Sequence, residues 1–192
     1  MPKAARYLPS SLLWQPLQRF ARHQSPPTAM QDWLSNSGSL TARLIAKSEG
    51  QFQVQVVRQI IGVPQLNERK ALGMRRPTLT LIREVILQGK GEPWVFARSL
   101  LPLSSLTGSL RHLRKQGNRP LGAFLFSQPQ LQRSAIAVAR ISRDHAYVPA
   151  DLVGNQPLWG RRSVFYLQQK PLLVSEVFLP AFADQLALPP TR

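Results

Sequence analysis

Cysteine is absent from the 192-residue chain, which excludes disulfides, thiolate nucleophiles and cysteine-ligated metal. Acidic residues are scarce, with 9 Asp and Glu against 25 Lys and Arg. The three histidines, His23, His112 and His145, have no metal-ligand spacing, so a metal centre is not expected. No apolar stretch approaches the roughly 20 residues of a membrane span. Leu172–Leu179 is far shorter and carries Glu176 in its middle. Residues 1–22 hold Lys3, Arg6, Arg19 and Arg22 without an apolar leader core and cleavage site, so a cytoplasmic protein is expected. Nucleotide and hydrolase signatures are also missing: there is no P-loop, dinucleotide fingerprint or G-x-S-x-G elbow. Gly89-Lys90-Gly91 reads as a hairpin turn rather than a phosphate cradle.

What is present is an ordinary core and an extraordinary charge. A 43% hydrophobic fraction over this length fits one domain. The net charge of +16 attracts polyanions, so nucleic acid enters as a partner class. The same surplus would steer a small dianion, or simply form a solvated basic surface. Charge alone does not choose.

Residues 1–29, broken by Pro9, Pro16, Pro26 and Pro27, read as a loosely attached basic arm in which Ser11–Ala21 could form a short amphipathic helix. Trp33–Lys47 reads as two short helices separated at Asn36-Ser37-Gly38, with Ser37 or Ser39 capping the second. Period-2 alternation marks strands at Phe52–Ile61, Thr78–Leu87 and Trp94–Leu101, the last two forming a hairpin. Leucines at 103, 106, 110 and 113 predict a helix within Pro102–Gly117, and Pro120–Phe126 predicts another. Leu131–Ile141, Arg161–Gln168 and Leu172–Leu179 complete about six strands, with Asp144–Pro157 as a surface loop and 182–192 as a tail. Hairpin connections and grouped helices predict an α+β domain over 30–181 on one six-stranded antiparallel sheet.

The informative residues break the alternation. Arg83 shares a face with Leu79, Leu81, Val85 and Leu87, and Glu176 shares one with Leu172, Val174 and Phe178. A buried unpaired charge is prohibitively costly, so each needs a partner or a polar cavity. Two readings stay open at this point. Arg83 and Glu176 form structural salt bridges with each other or with other residues inside the core, or they stand at opposite ends of a pocket for a ligand with a carboxylate and a distal hydroxyl. Arg58 and Arg98 also fall among apolar neighbours, as further carboxylate ligands or as long stems reaching solvent.

Six segments in order then carry a resemblance over roughly residues 30–181. They are Trp33-Leu34 with Gly38-Ser39-Leu40-Thr41, Leu81–Leu87, Glu92–Arg98, Arg119-Pro120-Leu121-Gly122 with Leu125-Phe126, Trp159–Ser163, and Leu172–Pro180. The chain resembles the chorismate pyruvate-lyases, bacterial enzymes that supply 4-hydroxybenzoate for ubiquinone synthesis. The resemblance implies an internal ligand site beneath helical flaps, chorismate as substrate, 4-hydroxybenzoate and pyruvate as products, no cofactor, and a monomer. It implies that Arg83 binds the product's carboxylate and Glu176 meets its hydroxyl. Backbone groups at Leu40 and Leu121 complete the carboxylate's surroundings, although some members have methionine where Leu40 stands. No role carries over to Arg161 and Arg162.

Two other readings belong to different classes. One is a non-catalytic effector-binding domain of the same fold, which here lacks an accompanying helix-turn-helix segment. The other is a basic nucleic-acid-binding module, which calls for aromatics interleaved with Lys and Arg on an exposed strand face. The aromatics instead fall mostly on apolar faces, so nucleic acid is not expected.

Overall fold

The alternating segments form an antiparallel sheet in the computed structural model, which describes residues 12–187. Its strands are β1 (Phe52–Gly62), β2 (Thr80–Gly89), β3 (Glu92–Pro102), β4 (Gln132–Arg133), β5 (Ala137–Ile141), β6 (Leu158–Leu167) and β7 (Lys170–Phe178). Their order is β1-β2-β3-β7-β6-β4, with β5 also pairing β6. The β2–β3 hairpin closes through Lys90 and Gly91, both left-handed at φ 53° and 80°, as a tight two-residue hairpin requires. Gly89 is needed for a different reason. A Cβ there would lie 2.3 Å from the Trp94 indole.

The sheet has seven strands rather than the expected six. The segment expected as one strand, Leu131–Ile141, is split at Ser134, whose hydroxyl accepts from the Val164 amide at 2.9 Å. A side chain thus occupies one rung of the ladder, and the register changes from Arg133↔Phe165 to Ala137↔Arg162. A one-residue shift of this kind ends one strand and begins another.

Among the described residues five α-helices flank the sheet: α1 (Thr28–Ser35), α2 (Leu40–Lys47), α3 (Leu66–Ala71), α4 (Leu121–Phe126) and α5 (Pro180–Ala187). The break between α1 and α2 falls at Asn36-Ser37-Gly38, and Ser39 is the cap, its Oγ accepting from the Ala42 amide at 3.2 Å. The leucine-spaced segment after β3 forms a 3-10 helix, Gly108–Lys115, which buries Leu110 and Leu113. Residues three apart eclipse in that geometry, so one row of leucines reaches the core. Within Ser11–Ala21, Ser11 lies outside the described residues. The remainder forms only a 3-10 turn at Leu17–Arg19, because Gln15 exchanges two backbone bonds with Val138 in extended conformation.

The regions set off in the sequence as arm (1–29) and tail (182–192) lie partly outside the described residues. Within them, Leu12 and Phe182 are buried, and Phe20 meets Trp159 edge-on at 5.2 Å. The segment expected as a surface loop, Asp144–Pro157, buries Tyr147, Val148 and Val153 against the sheet. No helix among the described residues is long and apolar enough to cross a membrane.

One sheet face carries two apolar clusters, and what lies between them matters most. The first joins Trp33, Leu40 and Leu44 to Val85, Trp94 and Phe178. The second joins Leu110, Leu121 and Leu125 to Leu81, Phe165 and Leu172.

Candidate active site

Between those clusters the sheet presents a polar interruption. Small side chains on β3, Ala97 and Ser99, leave a narrow cavity floored by Val85, Leu87 and Val174. Thr41 at the start of α2 and Pro120-Leu121-Gly122 at the start of α4 close it from above. The two covering helices touch closely, since a Cβ on Gly122 would lie 2.6 Å from Thr41 Oγ1.

Arg83 and Glu176, expected on the apolar faces of their strands, both line this cavity and do not pair with each other. Cross-strand register places Arg83 opposite Ser99 and Ser99 opposite Val174, two residues before Glu176. Two inter-strand steps and two residues along the strand separate their Cα atoms by about 12 Å. Arg83 is buried, and its Nη2 donates to the carbonyls of Gly117 at 2.7 Å and Arg119 at 3.2 Å. Burial lowers its pKa from the ordinary value. Its Nε is buried and has no hydrogen-bond partner among the described residues. A buried guanidinium donor without an acceptor is costly and is expected to have one in use.

Glu176 is held by a residue to which the sequence reading gave no role. Arg161, directly across the β6–β7 ladder and 2% exposed, donates from Nε to Glu176 Oε2 at 2.8 Å. Its Nη1 donates to the carbonyls of Trp33 and Asn36, both at 2.8 Å. One guanidinium therefore orients the carboxylate and grips the link between α1 and α2. Arg133 holds that link from its other side, donating to Ser37 O at 2.7 Å. Burial first, and the nearby charge of Arg161 second, outweigh Glu176 and lower the Arg133 pKa to about 10. The signal for Arg161 was its parity: it alternates with Trp159, Ser163, Phe165 and Leu167, so it points to the covered face while Arg162 points away.

Leu40 and Leu121 are the first residues of α2 and α4, where backbone N–H groups have no intrahelical acceptor. Leu121 lines the cavity, while the Leu40 side chain packs in the first cluster and its neighbour Thr41 reaches the cavity.

The remaining arginines resolve differently. Arg58 is exposed on the edge strand. Arg98 is neither a carboxylate ligand in this cavity nor a solvent-reaching stem. It lies on the opposite sheet face, pairing at 2.7 Å with Glu68, which is 0% exposed, and with Glu84. Burial alone would lower its pKa, but the hydrogen bond and charge of Glu68 outweigh it and raise it. Arg162, on that same face, donates to Asn67 Oδ1 at 3.0 Å.

The described chain aligns with known proteins along almost its whole length. The family model for chorismate lyase matches residues 8–187. A protein named probable chorismate pyruvate-lyase from Aromatoleum aromaticum is 40% identical over 93% of this chain and 98% of that protein. One of the same name from Azoarcus sp. is 46% identical over 79% of this chain and 84% of that protein. Among solved structures, the effector domain of PhnF from Mycobacterium smegmatis is similar with a TM-score of 0.52 at 19% identity, covering 75% of this chain and 90% of that one. The C-terminal domain of a histidine utilization repressor from Pseudomonas syringae gives 0.50 at 13% identity, covering 68% and 92%. These structural likenesses concern the fold alone. The chain belongs to the chorismate lyase family.

Proposed function

We propose that this chain converts chorismate to 4-hydroxybenzoate and pyruvate in the cavity between Arg83 and Glu176, supplying the ring precursor of ubiquinone. The observation that carries the reading is the cavity's polarity. A buried guanidinium with an unpartnered Nε stands at one end, a carboxylate at the other, and aliphatic side chains lie between. A para-substituted ring carboxylate matches that order of groups.

In this reading Arg83 takes the ring carboxylate through Nε, assisted by the free backbone N–H groups at Leu40 and Leu121. Glu176 meets the ring hydroxyl through Oε1, which makes no hydrogen bond among the described residues. The ether C–O bond breaks and its electron pair leaves with enolpyruvate. The C4 hydrogen leaves as a proton, the ring becomes aromatic, and enolpyruvate takes up a proton to give pyruvate. Glu176 is the one carboxylate lining the cavity among the described residues, so proton removal at C4 falls to it. Aromatisation supplies the driving force. α2 and α4 act as the flaps that keep water from the bound ring.

The test is release of 4-hydroxybenzoate from chorismate, followed by ultraviolet absorbance. Arg83→Ala is expected to lower kcat/KM about a hundredfold to a thousandfold, the scale of a lost charge-stabilising donor. Glu176→Gln is expected to lower kcat about a hundredfold or more with a smaller effect on KM. Near-wild-type turnover in both variants would refute these roles. Binding of 4-hydroxybenzoate without any turnover of chorismate by the wild type would make the chain an effector-binding domain instead.

A further inference from the structure

A second feature of the molecule lies outside the cavity. At one end of the sheet, β1 ends, β2 begins and the 3-10 helix Gly108–Lys115 packs alongside. Here Ile61, Val63, Leu66 and Leu79 are each more than half exposed. The register Ile61↔Leu81 and Gly62↔Thr80, continued by one step, sets Val63 beside Leu79. Leu103 N donates to Leu79 O and Gln59 Nε2 donates to Arg114 O, both at 3.1 Å, fixing the 3-10 helix to this corner. Ile61, Val63 and Leu79 share this corner and form a patch rather than scattered exposure, with Leu66 three residues beyond Val63 at the start of α3.

The charges around that patch have one sign. Lys70, Arg75 and Arg76 come from the β1–β2 connection, and Arg111, Arg114 and Lys115 from the 3-10 helix, all exposed. The only acid in the connection, Glu68, is buried against Arg98, as is Glu84 on β2. Glu49 and Glu92 stand at the far end of the hairpin, about 30 Å away by strand rise. Steering of a dianionic substrate would account for the basic side chains but not for exposed Ile, Val and Leu. Nucleic acid would call for aromatic stacking, and none of the exposed apolar side chains here is aromatic. A second copy presenting the same corner would be repelled by its like charge.

We propose that this corner docks on an anionic phospholipid bilayer, with the basic side chains at the headgroups and Ile61, Val63, Leu66 and Leu79 entering the interface. Aliphatic insertion within a basic rim is the chemistry of a peripheral membrane contact. Each basic residue near an anionic surface contributes about a fivefold factor in partitioning.

The test is co-sedimentation of the full chain with vesicles of equal parts phosphatidylglycerol and phosphatidylcholine, and with phosphatidylcholine alone. Binding is expected to the anionic vesicles only. Arg75→Glu with Arg76→Glu is expected to weaken it about 25-fold or more. Ile61→Ser with Leu79→Ser is expected to weaken it with little change in salt dependence. Arg22→Glu with Arg140→Glu, an equal charge change away from the corner, serves as the comparison, and circular dichroism verifies that every variant is folded. The proposal is overturned if no vesicle binding occurs, or if the comparison variant loses as much as the Arg75/Arg76 variant. It is equally overturned if the aliphatic variant binds normally, or if a single-stranded RNA oligonucleotide is held with greater affinity than the vesicles and depends on the same residues.

Discussion

Arg161 shows how much one buried side chain can organise. Its three bonds satisfy Glu176 and the carbonyls of Trp33 and Asn36, groups from a strand and from the end of a helix. Lysine carries the same charge but cannot present a planar fork to three acceptors. Arg161→Lys is therefore expected to lower kcat at least tenfold while leaving KM within a few-fold, because the carboxylate loses its fixed orientation but Arg83 is untouched. Arg161→Met leaves a largely buried carboxylate, 15% exposed, unpaired and is expected to cost about 3 kcal/mol in urea unfolding. Near-wild-type kcat and stability in Arg161→Lys, beside a large loss in Arg161→Met, would show that charge rather than geometry matters. The sequence exposed Arg83 and Glu176 because each stands alone among aliphatic residues of its own parity. Arg161 was hidden beside Arg162: two adjacent arginines look like an ordinary basic surface until strand alternation separates them.

Most strands were written in alternation and the hairpin turn in Lys90-Gly91, but not the β3–β7 pairing that joins the two hairpins, since alternation fixes a face and not a partner. What alternation could not convey were side chains that replace backbone groups and residues defined by close approach. Ser134 splits one expected strand because its hydroxyl accepts a ladder bond from the Val164 amide, thirty residues away. Gly122 is another such residue: nothing in Pro120-Leu121-Gly122-Ala123 signals that Thr41 presses against it. Gly122→Ala is expected to push α2 and α4 apart, since its Cβ would sit 2.6 Å from Thr41 Oγ1, far inside contact distance. Overpacking of this kind costs about 1–3 kcal/mol, and the covering helices should separate before the sheet does. Hydrogen exchange should show faster exchange of amides in α2 and α4 with β2 and β3 unchanged. A matching Thr41→Ser substitution, which removes a methyl group but keeps the hydroxyl, should not restore it, whereas Thr41→Ala should.

At the scale of the whole molecule, the charge of +16 understates the asymmetry of the surface. Three of the nine acidic residues, Glu68, Glu84 and Glu176, are paired with arginines inside the fold and do little to offset the exposed basic residues. Self-repulsion among those residues destabilises the compact state, and added salt screens it as the Debye length falls from about 10 Å at 0.1 M to about 3 Å at 1 M. The buried ion pairs are screened far less. Raising sodium chloride from about 0.05 M to about 0.5 M is therefore expected to raise Tm by about 2–4 °C, corresponding to about 1 kcal/mol for a chain of this size. The same salt should raise KM for a dianionic substrate several-fold, because long-range attraction to the basic surface is lost, while kcat, set inside the dry cavity, should stay constant. A differential scanning and steady-state series over that range checks both. A Tm that falls with salt would mean that local ion pairing, not net repulsion, governs the exterior. A KM indifferent to salt would mean that the surface charge plays no part in gathering substrate, leaving the basic corner beside Ile61 and Leu79 to be explained by another anionic partner.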